Sequence, residues 1–274
     1  MKFYKYHGAG NDFIIIDNRR GRIARQKKSK LAWKLCDRKF GVGGDGLIFV
    51  ENSKVADARM RIFNPDGSEA EMCGNGIRCF AKHVYEKGIV RKKEVSIETP
   101  AGIKKVKLTI ESSKVAYARV ELGKPLFKTL NQKIKINDRE LEVSILEVGV
   151  PHVVVFVEDV DAVDVQSTGR AVRHHRQFPN GTNVDFLQEV GKNIFKVRTY
   201  ERGVEDETLA CGTGVSACGA VAAILGRADA GSPIEIRARG GTLFVELEKG
   251  NGEMKIYLNG PAKFVFEGEI YDNT

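Results

Sequence analysis

The chain has 274 residues, 42% of them hydrophobic and 29% charged, with a formal net charge of +8. That is length for one or two domains with full cores, in the balance of an ordinary globular protein. Apolar runs such as 13–16 and 153–157 are far too short to span a bilayer, and the start Met1-Lys-Phe-Tyr-Lys-Tyr lacks a signal peptide's apolar stretch and cleavage site.

Period-two alternation predicts strands at 13–17, 47–50, 59–63, 95–98, 104–110 and 115–122 in the first half. Helices are predicted at 28–40 and 76–87. The second half repeats the theme, with strands at 153–157, 184–188, 194–200, 234–238, 242–248 and 254–258 and helices at 166–175 and 214–225. Small residues in the last helix (Ala217, Gly219, Ala220, Ala222, Ala223) allow close backbone packing. The tail 264–271 follows the second half and is read as a strand crossing back to the first.

Several patterns carry little. Basic residues at 19–30 and 91–93, with Lys104, Lys105 and Lys107, lie in loops or alternate with apolar strand residues, and no aromatic stacking series accompanies them. No nucleic-acid partner is therefore expected, although the positive field can help gather an anionic substrate. Gly41-Val-Gly-Gly-Asp-Gly46 satisfies the dinucleotide fingerprint as a string, but it runs into a strand where the pyrophosphate needs a helix start. Gly212-Thr-Gly-Val-Ser-Ala217 opens a helix, yet a charged loop (201–207) separates it from the preceding strand. There is no Cys-x-x-Cys, and the adjacent His174 and His175 cannot share a helix face, so no metal site is expected. The five cysteines show no framework spacing, which fits a reducing, cytoplasmic setting. Cys36, Cys79 and Cys218 sit inside helical patterns as small buried hydrophobes.

The other two cysteines stand apart. Glu71-Met-Cys73-Gly-Asn-Gly76 and Leu209-Ala-Cys211-Gly-Thr-Gly214 each lead into a helix, and the halves align around them. Asn11 precedes Cys73 by 62 positions and Val150 precedes Cys211 by 61; Asp45 and Asn183 each lie 28 before their cysteine. Arg61-Ile-Phe-Asn-Pro-Asp-Gly67 answers Arg198-Thr-Tyr-Glu-Arg-Gly203, offset by one residue. This register implies an internal duplication. The expected fold is α+β: two pseudo-symmetric domains, each a β-sheet or barrel wrapped around a central helix. One half comprises 1–115 plus 263–274 and carries Cys73; the other, 116–262, carries Cys211.

A cysteine in the first helical turn meets unpaired N–H groups and partial positive charge, which can lower its pKa into the range of about 3.5–7.5. The glycines at 74, 76, 212 and 214 leave those amides bare for a carboxylate. One such motif could equally be a glycine-rich cap with a packing cysteine. Two at symmetric positions suggest paired thiols on opposite faces of one amino-acid Cα, one removing a proton and the other delivering one.

The strings from Asn64-Pro-Asp-Gly-Ser-Glu-Ala-Glu-Met-Cys73 to Cys79, and from Tyr200-Glu-Arg-Gly-Val to Cys211-Gly-Thr-Gly214, resemble the two signatures of diaminopimelate epimerases, and the likeness extends from His7 to Ala262. The resemblance implies interconversion of LL- and meso-diaminopimelate without a cofactor, on the route to lysine and peptidoglycan. It implies two halves closing over the small-molecule substrate and commonly a homodimer. It makes Cys73 and Cys211 the base and acid. Gly74, Asn75, Gly212 and Thr213 become the backbone cradle of the reacting carboxylate, and Asn11, Asn64, Asn183, Glu201 and Arg202 hold the rest of the substrate. Read alone, Asn11 and Asn64 are also ordinary turn residues, and Glu201-Arg202 is also an ordinary surface pair. Two departures bear on selectivity: Val150 stands where many members carry Asn, and Gly46 where some carry Gln. Proline and hydroxyproline racemases are similar but place His at the position of Asn75, and phenazine-biosynthesis isomerases lack the cysteine pair. A binding protein without α-proton exchange is the alternative of a different class.

Overall fold

Alternating apolar residues give this chain a strand-rich fold in which, among the described residues, two helices are buried along nearly their whole length. The computed structural model describes residues 1–136, 139–250 and 253–271, and the chain divides into two compact units. The first comprises Met1–Val120 and the residues from Gly260 onward; the second comprises Glu121–Asn259.

In the first unit the strands are β1 (Lys2–Gly8), β2 (Asn11–Asp17), β3 (Gly46–Glu51), β4 (Ala58–Phe63), β5 (Glu69–Ala70), β6 (Glu94–Thr99), β7 (Gly102–Glu111), β8 (Lys114–Gly123) and β18 (Lys263–Glu269). They run in the order β18-β1-β2-β3-β4-β6-β7-β8, antiparallel except for β2 with β3 and β4 with β6. Short β5 adds to β4. Helix α2 (Gly74–Glu86) packs on β1 to β4 and β7, and its residues from Gly74 to Val84 are all buried. Helix α1 (Arg25–Cys36) packs on β3 and β4, where Ala32, Leu35 and Cys36 join Ile14, Leu47, Phe49 and Phe63 in a second apolar layer.

The second unit repeats the plan. Its strands are β9 (Leu126–Ile136), β10 (Arg139–Val148), β11 (Val150–Phe156), β12 (Asn183–Gly191), β13 (Ile194–Glu201), β14 (Asp206–Thr208), β15 (Ile234–Ala238), β16 (Gly241–Gly250) and β17 (Glu253–Gly260). The order is β9-β10-β11-β12-β13-β15-β16-β17, again parallel only at the two equivalent steps, β11 with β12 and β13 with β15. Helix α4 (Gly212–Ile224) lies against β10 to β13, β15 and β16; α3 (Val165–Arg173) covers β12 and β13. Central α4 is apolar on every side, the pattern of a helix enclosed by its own sheet. The matching strand order is the architectural record of the duplication.

Three expectations change. The cysteines are not in the first helical turn: each is the N-cap, with extended backbone (φ −142° at Cys73 and −100° at Cys211), and the helices begin at the next glycine. Helix α1 ends at Cys36 rather than 40, because the Asp37 carboxylate accepts the amides of Lys39 and Phe40 (both 2.7 Å) and turns the chain away. Pairing of Phe13 with Gly46 and of His152 with Asn183 shows that Asn183 is equivalent to Gly46, not Asp45. The extra residue of the second unit therefore falls between Arg198 and Cys211. Strands β1, β9 and β10, and short β5 and β14, are additions. Their alternation is obscured by lysine, glutamate and glutamine at exposed positions.

Candidate active site

At the start of α2 the Cys73 Sγ accepts the Gly76 amide at 3.4 Å, and its thiol lies 3.7 Å from Asn11 Oδ1. The same oxygen accepts from the Asn75 side chain (3.3 Å), while Asn11 Nδ2 donates to Asp45 (2.8 Å). Beneath this end of the helix lies Arg78, fully buried. Its guanidinium donates to the Gly74 carbonyl (3.0 Å) and to Asn75 Oδ1 (2.8 Å), and its Nε has no partner among the described residues. No carboxylate pairs with Arg78 among the described residues. A buried cation without a counter-charge favours an anion nearby. Asn64 lies in the tight turn after β4, donating to Ser68 Oγ (2.9 Å), with Gly67 supplying the positive φ of +85°.

At the start of α4 the Cys211 Sγ and the Thr213 hydroxyl are 3.3 Å apart. Asn183 donates to the Pro151 carbonyl (3.1 Å) and accepts the Arg202 amide (2.8 Å); the Arg202 guanidinium reaches the Asn180 carbonyl (3.3 Å). Glu201 accepts from Thr208 (2.9 Å). The Cys211 thiol is pushed well above its ordinary range, chiefly by burial and then by the carboxylates of Glu201 and Asp185, against the smaller opposing effect of Thr213 and the Gly214 amide. The expected thiolate is thus not the state favoured at Cys211: enclosure in a low-dielectric core outweighs the helix end. Burial likewise raises Cys36 to about 11 and Cys79 to about 12, and pushes Cys218 well above its ordinary range, as suits packing cysteines.

The bare-amide expectation also narrows. The Gly76 amide is taken by Cys73 Sγ, and a Cβ at Gly76 would meet Ile62 and Ile48 at 3.2 and 3.3 Å. A Cβ at Gly214 would overlap the Asp185 carboxylate. These two glycines let the helix start settle on the sheet. Gly74 and Asn75, and Gly212 and Thr213, form the first turns of the two helices.

Three polar residues escaped the sequence reading: Arg78, His152 and Asp185. His152 Nδ1 lies 2.7 Å from Asp185 Oδ2, both residues are fully buried, and Asp185 Oδ1 accepts the Thr199 hydroxyl at 2.7 Å. A carboxylate accepts, so the ring's Nδ1 faces it as the donor, and Nε2 has no partner among the described residues. The signal was an aspartate at the centre of the apolar strand Val184-Asp-Phe-Leu187. A cavity of about 740 Å³ lined by Met1, Tyr4, Asp17 and Arg19 includes none of the expected site residues. Among the described residues no group of three or more His, Cys, Asp or Glu is placed to hold a metal ion, and no helix is long and apolar enough to cross a membrane.

Comparison with known proteins gives the fold and the family. Two chains of known structure share the fold: a phenazine biosynthesis protein of the PhzF family from Bacillus anthracis (TM-score 0.79, 21% identity, 99% of each chain) and a probable proline racemase from Agrobacterium radiobacter K84 (TM-score 0.74, 17% identity, 98% of this chain and 92% of that one). The chain is 44% identical to the diaminopimelate epimerase of Caldanaerobacter subterraneus subsp. tengcongensis, over 98% of this chain and 99% of that one. It is also 44% identical to the diaminopimelate epimerase of Methanothrix thermoacetophila, over 99% and 96%. The sequence pattern of the diaminopimelate epimerase family matches residues 3–128 and 144–265, one segment in each repeat, and the chain belongs to that family.

Proposed function

We propose that this protein is a cofactor-independent isomerase that interconverts LL- and meso-diaminopimelate, with Cys73 and Cys211 as the proton-transferring pair. The observation that carries the reading is a cysteine at the N-cap of each of two equivalent central helices, in a chain of this family. The halves 1–115 plus 263–274 and 116–262 each supply one sulfur. One cysteine, as thiolate, takes the α-proton and becomes a thiol while the C–H electron pair moves into the substrate carboxylate. The other thiol gives its proton to the opposite face of Cα and becomes the thiolate. Atoms balance, configuration inverts, and the two cysteines exchange protonation states.

Charge that develops on the carboxylate is met by the backbone amides of Gly74, Asn75, Gly212 and Thr213. Arg202 grips the distal carboxylate, with the bidentate geometry lysine lacks, and Glu201 takes the distal ammonium. Asn11, Asn64 and Asn183 position the remaining polar groups. Val150, at the start of β11, offers no hydrogen bond to the distal carboxylate. The products feed lysine and peptidoglycan precursor synthesis in the cytoplasm. The protein acts as a homodimer: Phe264, Val265 and Phe266 on β18 present an exposed apolar strand that a second copy would cover.

The deciding experiment incubates the protein in deuterated water with LL-diaminopimelate or with L-proline. Deuterium enters Cα of diaminopimelate alone. Entry into proline instead assigns the racemase reaction, and entry into neither assigns a binding protein. Sedimentation or light scattering that finds only monomer overturns the dimer.

A further inference from the structure

Helices α3 and α4 lie on opposite faces of the second sheet. Val184, Phe186 and Tyr200 pack with Val165 and Val172 of α3, while Asp185, between the first two, meets Gly214 of α4. Yet the last residue of α3 reaches both loops that carry the second unit's expected substrate contacts. Arg173 closes the helix, where the negative helix end favours a cation. Its guanidinium meets the Glu205 carboxylate through Nη2 at 3.0 Å and Nε at 3.1 Å. It also presses on Gly181, where a Cβ would fall on the guanidinium itself. Gly181 is buried and holds φ at +69°, so the position suits glycine on two counts.

Gly181 belongs to the loop that leads into β12 and Asn183; Glu205 belongs to the turn between β13 and β14, with Glu201 and Arg202. The two loops meet directly, since Asn183 Oδ1 accepts the Arg202 amide (2.8 Å) and the Asn180 carbonyl accepts its guanidinium (3.3 Å). Glu205 shapes the turn. Its amide donates to the Glu201 carbonyl (2.8 Å), its carboxylate accepts the Gly203 amide (3.0 Å), and its own φ is +59°. A non-glycine residue in that region is strained and persists where neighbouring bonds hold it. Arg173 supplies two of those bonds. Helix α3 abuts the same hairpin at Gly169, where a Cβ would crowd Tyr200.

We infer that Arg173 is a positioning residue for the substrate site of the second unit, a clamp from the far face of the sheet that fixes Asn183, Glu201 and Arg202 relative to one another. This rests on the proposed reaction for what those residues hold, but not for how they are held. The first unit is built on the same plan. Its outer helix α1 meets the turn that carries Asn64 at Gly67, where a Cβ would run into the Ser29 hydroxyl and lie 3.0 Å from the Ser29 carbonyl oxygen. Each repeat thus braces its site-bearing turn from the outer helix, the first by close packing and the second by an ion pair. The ion pair can be released by changing one side chain and no backbone. Its Glu205 side is exposed, so it adds little to stability. Its effect lies in binding: released loops must be ordered when substrate arrives, and that ordering weakens affinity.

The test is steady-state turnover of diaminopimelate by Arg173→Met, Arg173→Lys and Glu205→Gln, together with amide hydrogen exchange of each substrate-free protein. Arg173→Met raises the Michaelis constant at least about threefold and changes kcat by less, the pattern of lost binding rather than lost chemistry. Arg173→Lys, which keeps the charge, restores part of the loss. Glu205→Gln gives a similar rise, and combining it with Arg173→Met adds little, because both remove one interaction. In both variants the Gly181 and Arg202 amides exchange faster, while those of Val215 and Ala220 in α4 keep their rates. An unchanged Michaelis constant overturns the inference. So does a raised constant with unchanged exchange, which would make Arg173 a direct substrate contact. If Arg173→Met does not fold, Glu205→Gln decides by the same readings. Should the unsubstituted protein leave diaminopimelate unaltered, the epimerase reading falls, and the exchange rates alone uphold or overturn the bracing.

Discussion

The two helix starts share a backbone and differ in what lies under it. Beneath Cys73 are isoleucines and a buried guanidinium; beneath Cys211 are a carboxylate, an imidazole and a hydroxyl. Duplication preserves geometry because strand order and helix docking depend on which positions are apolar and on little else. Electrostatics can then diverge at single positions, since one buried charge changes a neighbour's ionisation by more than a whole helix end does. A helix N-terminus is therefore a weak guide to thiolate character until its floor is known.

The comparison is broken most directly at the sulfurs. Cys73→Ala and Cys211→Ala each lower epimerisation by at least about a thousandfold, as loss of a group acting in a coupled unit does, with thermal unfolding otherwise unchanged. Substantial turnover by either variant would show that one base suffices. Gly214→Ala and Gly76→Ala sharpen it next. The first forces a methyl onto Asp185 and costs about 1–3 kcal/mol; the second meets the movable ends of two isoleucines, with the Cys73 Cβ at ordinary contact distance, and stays within about 1 kcal/mol. Equal costs measured by urea unfolding would mean that the two floors yield alike.

Arg202→Lys is expected to raise the Michaelis constant for diaminopimelate about tenfold at unchanged melting temperature, and an unchanged constant removes Arg202 from the substrate contacts. The smallest effect lies in the first unit, where Lys92 and the Ser96 amide and hydroxyl hold Asp57 at about 2. Its folded value is depressed, so its contribution is complete above the unfolded value near 4 and is lost as pH falls toward about 2. Asp57→Asn should lower the melting temperature at pH 7 and leave it unchanged near pH 2. A deficit that persists at the acid end would point to lost packing.

Most of the fold was legible because its apolar strands alternate and its central helices are glycine-flanked. Every strand predicted from alternation is present, and 234–238 keeps its limits. What escaped did so for stated reasons. Strands β9 and β10 are polar on one face and half exposed, so lysines and glutamates break their pattern. The two cysteines were legible from their glycines and spacing. Arg78, His152 and Asp185 were not, because an arginine inside a helix or an aspartate inside a strand declares itself only once burial is known.

Strand β18 follows the whole of the second unit in the chain, yet it belongs to the first, where it pairs with β1 and where the Ile270 carbonyl receives the amino group of Met1 at 2.6 Å. On a translating ribosome the second unit can assemble as soon as its contiguous stretch has emerged. The first must wait with the edge of β1 open until the segment that follows the second unit has also emerged, and that interval is when a nascent chain is most exposed to mispairing.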